Sequence, residues 1–343
     1  MAETTIAAGY PKAFLDFAVS RGADRRTLIE RSRIRADDLG EQDNRVPLSQ
    51  YVALMEAGVE ACGEPALALL FGEAVRLQDI SIVGLIGEAA ETTEEARRQL
   101  NRYARLMLDE DDARVSEHLE LVRDGGGVWL KLTSPLYAGN RLLVESSFAR
   151  SICGARELFG AASNFANWPY PKAIHFTHAE PSYRAEYDRV FGVPLVFGSR
   201  VNALLMDEEF LSLRLPRANR YVFGVLSAHA ESLLASLEGS RTTRGRVESL
   251  LLPILHTGEA RVDVIAGELG VSRQTLFRRL KAEGVTFERV LDELRHKLAL
   301  HYLGGKKVSV NETAYLVGFS DPAAFSRAFK RWTGRSPRAM RSS

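Results

Sequence analysis

Cysteine is scarce in this chain: among 343 residues there are two, Cys62 and Cys153. That scarcity argues against a disulfide framework and against a zinc cluster built on cysteine. Both thiols read instead as reduced core residues in a reducing compartment, for which the cytoplasm fits best. Long apolar runs are also lacking. No stretch approaches the ~20 residues needed to cross a bilayer, so no membrane partner is expected. The opening Met1-Ala2-Glu3-Thr4 has no basic segment followed by an apolar one, and a secretory leader is therefore not expected. What is present is the composition of a folded soluble protein, 45% hydrophobic and 26% charged. At ~100–200 residues per domain, the length suggests two domains.

Net charge is close to zero, +1, but it is unevenly spread. Residues 241–343 hold 19 Lys and Arg against 10 Asp and Glu, an excess of nine, while the first 240 residues carry an acidic excess of eight. Such a split suits a chain in which one end meets a polyanion and the other does not. A basic end can equally be a solvated face, so charge alone does not assign nucleic acid.

The first ~110 residues have mainly helical periodicity. Pro11–Ser20 and Val46–Phe71 carry apolar residues three and four apart, with a turn expected at Gly63-Glu64-Pro65. Ile80–Gly87 is a short apolar run, either a buried segment or the start of a helix. Thr93–Leu108 is helical in period, with Leu100, Tyr103, Ala104 and Met107 on one face. The middle changes character. Val115–Val122 and Val128–Leu132 flank Asp124-Gly125-Gly126-Gly127 and read as a hairpin. The three glycines do not suit a phosphate-binding loop, which needs a following Lys-Ser/Thr and a helix. Arg141–Ala162 reads as a helix, and Ala173–His178 and Leu195–Met206 read as strands. On a strand His175 and His178 point to opposite faces and make a poor chelate, so no metal is expected. After Pro216 a long helix is expected to about Leu237. The polar, glycine-bearing residues 238–245 then read as the interdomain connection, placed where the charge changes sign.

The last hundred residues contain two segments of the form helix, tight turn, helix. In the first, Val262, Ile265, Ala266 and Leu269 face inward, Gly270-Val271 makes the turn, and Ser272 is placed to cap the next helix. That helix, Arg273–Lys281, buries Leu276 and Leu280 and presents Arg273, Gln274, Phe277, Arg278 and Lys281 on its other face. In the second, Ser309-Val310-Asn311-Glu312 is a capping box. It opens a helix that buries Ala314 and Val317 and ends at Gly318-Phe319. Ser320 or Asp321 caps the following helix, with Pro322 in its first turn. There Phe325 and Phe329 face inward, and Arg327, Lys330 and Arg331 carry charge outward. Between the copies, Phe287, Val290, Leu291, Leu294, Leu298 and Tyr302 form one helical stripe. Seventeen helical residues span about 25 Å. A spacer of that length suits two recognition helices set about one DNA turn apart, ~34 Å.

At these residues the chain resembles the AraC/XylS family of transcriptional regulators. The resemblance rests on Gly318-Phe319-Ser320-Asp321-Pro322-Ala323-Ala324-Phe325-Ser326-Arg327-Ala328-Phe329-Lys330-Arg331 and Gly334-Arg335-Ser336-Pro337. Ile265-Ala266, Leu269-Gly270-Val271-Ser272, Leu276, Arg278, Arg295, Ala299 and Leu303 extend it over about 95 residues. It implies a seven-helix domain placing two helix-turn-helix units, 262–281 and 310–331, in successive major grooves. By position, Arg273, Gln274, Phe277 and Arg278 of the first recognition helix would face bases, as would Ala323, Ala324 and Arg327 of the second. Arg and Gln have bidentate partners on guanine and adenine edges. Lys281, Lys330 and Arg331 are the expected phosphate contacts. Phe277 departs from the family, which usually has a polar residue there, and is expected either to touch a thymine methyl or to pack locally. Arg261 stands where the family favours a capping Ser.

Residues ~10–215 resemble the non-cupin, arabinose-binding-like effector domain of a branch of the same family. That resemblance rests on Gly84-Leu85-Ile86-Gly87, Thr92-Thr93-Glu94-Glu95-Ala96, His175–Pro181 and Phe191–Gly198. It implies an α+β sensor domain over 1–238 that binds a small molecule and dimerises, followed by an all-α DNA-binding domain over 239–343. The implied partners are double-stranded DNA, RNA polymerase, an effector and a second copy of the chain, with activation and repression both open. No pocket residue is assigned by this reading, and no cofactor or catalytic residue is expected. A fused DNA-repair alkyl transferase would need an activated cysteine acceptor beside a cysteine-rich zinc site. A phosphorelay regulator would need an alternating strand–helix start. The alternative is a ligand-independent regulator whose N-terminal half only oligomerises.

Overall fold

Apolar side chains three and four apart fold the first hundred residues into short helices that close over one another. A computed structural model describes residues 3–110, 117–124, 127–160, 170–304 and 308–342. It divides into two units, Met1–Leu234 and Ala235–Ser343. Gly125 and Gly126 of the expected hairpin, residues 115–116 of its first strand and the last two residues of the helix expected to end at Ala162 lie outside the described residues.

The first unit is α+β. Its helices begin with α1 (Gly9–Ser20), α2 (Arg25–Ser32), α3 (Leu48–Cys62) and α4 (Leu67–Ala74). The short α5 (Leu77–Ile80), α6 (Ile82–Ala89), α7 (Thr93–Arg102) and α8 (Ala104–Met107) follow. Three short strands, β1 (Thr5–Ala7), β2 (Arg45–Pro47) and β3 (Leu108–Asp109), form a small antiparallel sheet in the order β2-β1-β3, with Ile6 opposite both Val46 and Leu108. An aromatic knot underlies these helices: the Phe14 ring lies 5.1 Å from Phe71 and 6.4 Å from Tyr51, both edge-on.

The larger sheet joins β4 (Leu119–Asp124), β5 (Gly127–Leu132), β6 (Ala173–His175), β7 (Leu195–Val196) and β8 (Asn202–Met206) in the order β4-β5-β8-β6-β7. Leu204 sits opposite Leu130 on one side and Ile174 on the other. Against it lie α9 (Pro135–Ala138), the long α10 (Arg141–Gly160) and α11 (Arg184–Phe191), sharing a core that includes Phe148, Phe176, Tyr187 and Phe191. The last helix begun in this unit is α12 (Arg220–Arg241).

Of the two readings open for Ile80–Gly87, the start of a helix is the one found: the Ser81 hydroxyl accepts the Val83 N–H at 3.2 Å and separates α5 from α6. Two expectations change. Leu195–Met206 is two strands, because the chain leaves the sheet after Val196, where the Gly198 and Ser199 N–H groups bond the carbonyls of His178 and Phe176 at 2.9 and 2.8 Å. It re-enters on the other side of β6. The polar stretch 238–245 is largely helical: α12 runs to Arg241, and Thr242 then caps the next helix by accepting the Gly245 N–H at 2.9 Å.

The second unit is all-α. After the end of α12 it holds α13 (Thr243–Ile254), α14 (Val262–Glu268), α15 (Arg273–Ala282), α16 (Phe287–Gly304), α17 (Val310–Leu316), α18 (Pro322–Thr333) and α19 (Pro337–Ser342). Two apolar cores share α16. Phe287, Val290 and Leu294 join Ile265, Leu276 and Leu280, while Ala299 and Leu303 join Ala314, Phe325 and Phe329. One rigid helix therefore anchors both halves of this unit.

Candidate nucleic-acid interface

The two helix pairs are built on one backbone pattern. At the first turn the Leu269, Gly270 and Val271 N–H groups donate to the carbonyls of Ile265, Gly267 and Ala266 at 3.0, 2.9 and 2.9 Å. At the second, Val317, Gly318 and Phe319 donate to Thr313, Tyr315 and Ala314 at 3.0, 2.9 and 2.9 Å. Each turn ends its helix with a left-handed residue and the six-to-one hydrogen bond of a Schellman cap. Gly270 has φ 65° and Gly318 φ 80°, a region where a β-carbon is strained, which is why both positions carry glycine.

The second helix of each pair, α15 and α18, is started by its own cap. Ser272 accepts the Thr275 N–H at 3.2 Å, and Asp321 accepts those of Ala323 and Ala324 at 2.9 and 3.0 Å. Those two backbone donors, Ala323 first, hold the Asp321 carboxyl below its usual range. Of the two caps open to the sequence, Asp321 is the one used, one position later than Ser272 in the first copy. From the caps onward, Leu276 and Leu280 match Phe325 and Phe329, all four fully buried. Gln274, Arg278 and Lys281 match Ala323, Arg327 and Lys330 on the outer face. The first helix of the second pair, α17, starts at a complete capping box, Ser309 accepting from the Glu312 N–H at 3.1 Å and Glu312 from the Ser309 N–H at 2.7 Å. Its counterpart α14 has none: Arg261 makes no capping bond and pairs with Glu259 at 3.2 Å.

Arg273, Gln274, Phe277, Arg278 and Lys281 are all exposed along α15, and Ala323, Arg327 and Lys330 along α18, with Ala324 half-buried beside them. Among the described residues the side chains of Arg273, Gln274, Arg278, Lys281 and Lys330 make no hydrogen bond or ion pair, so they keep their donors for an external acceptor. Arg327 lies 3.9 Å from Asp321, a loose contact at the surface. Arg331 is more engaged, its Nη2 donating to Asp292 at 2.9 Å. Phe277 stays outside the core at 42% exposure, an apolar ring held in solvent between basic neighbours.

Arg295 in α16 has a role that the sequence reading left unassigned. Its Nε and Nη2 donate to the Val317 and Gly318 carbonyls at 3.1 and 3.0 Å, and its guanidinium lies 4.7 Å from the Phe319 ring centre. Burial lowers its pKa from the usual arginine value. It ties the spacer helix to the turn of the second pair. The signal was a lone arginine on the face that also carries Leu291, Leu294 and Leu298.

The first unit holds a second feature that no motif announced. A cavity of about 510 Å³ lies there, reached by Tyr10 and Tyr51 from the early helices, Leu100 from α7, Arg150 from α10 and Leu204 from the sheet. Its size falls within the ~300–1,000 Å³ of small-molecule sites. His175 and His178 do not line it. The His175 ring leans on Trp129 at 4.5 Å, and His178 sits among Phe176, Tyr187 and Phe197.

Comparison with known proteins covers both units. Residues 22–215 match the family described as the arabinose-binding domain of AraC transcription regulator, N-terminal, and residues 265–343 match a helix-turn-helix domain. The ornithine utilization regulator of Pseudomonas aeruginosa is 29% identical over 332 residues, 96% of this chain and 94% of its own. The HTH-type transcriptional regulator VirS of Mycobacterium tuberculosis is 24% identical over 328 residues, with the same two coverages. Among solved structures, the transcriptional regulator CdpR from Pseudomonas aeruginosa aligns with a TM-score of 0.41 at 24% identity, over 93% of this chain and 96% of that one.

Proposed function

The chain belongs to the AraC family of DNA-binding transcription regulators, and we propose that it reads a specific sequence through both helix pairs under the control of a small molecule bound in its N-terminal domain. The observation that carries the first part is the repeated turn with a basic outer face on which Arg273, Arg278, Lys281 and Lys330 have no partner among the described residues. Arg273, Gln274, Phe277, Arg278, Ala323, Ala324 and Arg327 face base edges, where Arg and Gln have bidentate partners. Lys281, Lys330 and Arg331 meet phosphates, Arg331 by exchanging Asp292 for the backbone. The DNA-binding domain spans 239–343, and residues 1–238 serve sensing and dimerisation. The cavity favours an effector over an N-terminal half that only oligomerises, since oligomerisation needs no internal space. The protein acts in the cytoplasm, in contact with RNA polymerase.

We further infer a homodimer. Tyr221, Val222 and Val225 stand 82%, 40% and 53% exposed near the start of α12, an uncovered apolar strip at helical spacing. Its burial against a second copy would let two protomers read two half-sites. An effector can shift that assembly only by binding one of its states more tightly than another. The test is sedimentation of the full chain with one-site and two-site duplexes obtained by selection from random DNA. Cooperative two-site occupancy with an affinity that falls steeply as salt rises is expected, because phosphate contacts release counterions. Salt-insensitive binding, or a chain that stays monomeric at tens of micromolar and fills two sites independently, would count against it.

A further inference from the structure

Four arginines line the cavity of the first unit, and three of them are neutralised where they stand. Arg76 pairs with Glu157, Arg217 with Glu88, and Arg97 with Glu94 at 2.8 Å and Glu117 at 3.3 Å. Arg150 has no such partner among the described residues. It is 5% exposed, its Nε donates to the Val75 carbonyl at 3.2 Å, and its Nη2 is buried with no hydrogen-bond acceptor among the described residues. Its guanidinium stacks on aromatic faces instead, 4.9 Å from the Phe71 ring centre and 5.5 Å from that of Tyr10. A buried cation with an idle donor is costly unless an anion completes it. Two further donors stand beside it: the hydroxyls of Tyr10 and Tyr51 find no partner among the described residues, and burial raises both pKa values, so they remain protonated at neutral pH.

We propose that the effector is a monoanion with an apolar body, a carboxylate on a hydrocarbon or aryl frame, whose charged end is held by Arg150 with the Tyr10 and Tyr51 hydroxyls. This rests on the reading of the cavity as the effector site. One unmatched cation calls for one negative charge, so a dianion would leave a charge unpaired. Glu88 and Glu157, acids that line the cavity, are already engaged by arginines, which leaves no free carboxylate among the described residues to draw an ammonium group. Most of the remaining wall is apolar, with Leu100, Leu132, Leu143, Phe148 and Leu204 among its side chains. A neutral sugar would lose its water there without recovering its hydrogen bonds, whereas a hydrocarbon frame gains from the same wall.

Calorimetric titration of the full chain with octanoate, octanamide and L-arabinose tests the class. The acid should bind at least tenfold more tightly than its amide, and arabinose should not bind measurably. Arg150→Met should abolish the preference for acid over amide, and Arg150→Lys, which keeps the charge, should retain part of it. The assignment falls if Arg150→Met keeps the full preference, if the amide or arabinose binds as well as the acid, or if none of the three binds. The effector reading is judged apart from this by Leu100→Trp, which fills the cavity. If that variant changes two-site DNA binding, the cavity controls the protein whatever its ligand. If DNA binding is untouched and none of the three compounds binds, the effector reading fails together with the acid.

Discussion

Gly270 and Gly318 hold the same place in two copies of one turn, yet an added methyl group should cost very different amounts at the two. In the left-handed backbone region that both occupy, a β-carbon costs roughly 1–2 kcal/mol. At Gly270 that is the whole penalty, since an added Cβ meets nothing within 4 Å. At Gly318 the same atom would stand 2.3 Å from the Leu255 carbonyl oxygen, a distance that requires backbone to move. Leu255 is 1% exposed and belongs to the core with Phe325 and Phe329, so it cannot retreat without disturbing that core. Overpacking of this kind adds roughly 1–3 kcal/mol. Gly270→Ala should therefore destabilise its half by about 1–2 kcal/mol, and Gly318→Ala by about 2–5 kcal/mol when the two penalties are combined. Hydrogen exchange resolved by peptide measures this in the full chain. In Gly318→Ala the amides of α17 and α18 should lose protection by roughly one and a half to three and a half orders of magnitude, about 1.4 kcal/mol per tenfold, while those of α14 and α15 change little. The same variant should lose sequence preference over one half of its DNA site and keep it over the other. Equal losses of protection in the two variants, each confined to its own half, would refute the crowding argument.

Three further outcomes are expected. Arg278→Ala and Arg327→Ala should each cost ~1–3 kcal/mol on the selected site and relax preference at a few base pairs, while Lys281→Ala and Lys330→Ala weaken all sequences alike; competition binding against random duplex decides it, and equal losses on both DNAs for the two arginines would overturn their assignment. Glu145 is fully buried, with its Oε1 accepting the Tyr183 and Tyr187 hydroxyls at 2.6 Å each, and burial first of all raises its pKa above the usual 4.5. The folded state therefore holds that proton more tightly than the unfolded chain, and the stability this contributes is lost as pH climbs from 4.5 through the raised value. Urea titrations across that window should show stability falling more steeply with pH in the wild type than in Glu145→Gln, and parallel slopes would refute the assignment. Tyr221→Asp with Val225→Asp should weaken self-association by tenfold or more in sedimentation without altering DNA binding at a single half-site, and an unchanged dimer would clear α12 of that role.

The C-terminal half was legible because its instructions are local. Ser309 and Glu312 lie three residues apart in the sequence and bond each other in the fold; Gly318 marks a turn by its positive φ, a local signal. The inward pairs Leu276/Leu280 and Phe325/Phe329 follow from helical period without knowledge of what covers them. The N-terminal half is settled by partners far away in the chain. β1, β2, β3, β6 and β7 are two or three residues long, too short to show a period of two, and their pairing with distant segments is what makes them strands. Leu195–Met206 looked like one strand because apolar residues recur through it, but the His178 and Phe176 carbonyls draw the chain out of the sheet in the middle. Arg150 is the sharpest case. In sequence it is an ordinary arginine in a long helix, and nothing within four residues sets it apart. Its burial comes from Tyr10 and Phe71, and its isolation from the absence, among the described residues, of an acid such as Arg76, Arg97 and Arg217 each obtained. Recognition helices can be read from sequence because their chemistry faces outward from a local scaffold. The cavity cannot, because its defining property is which of several similar side chains the fold leaves unpaired.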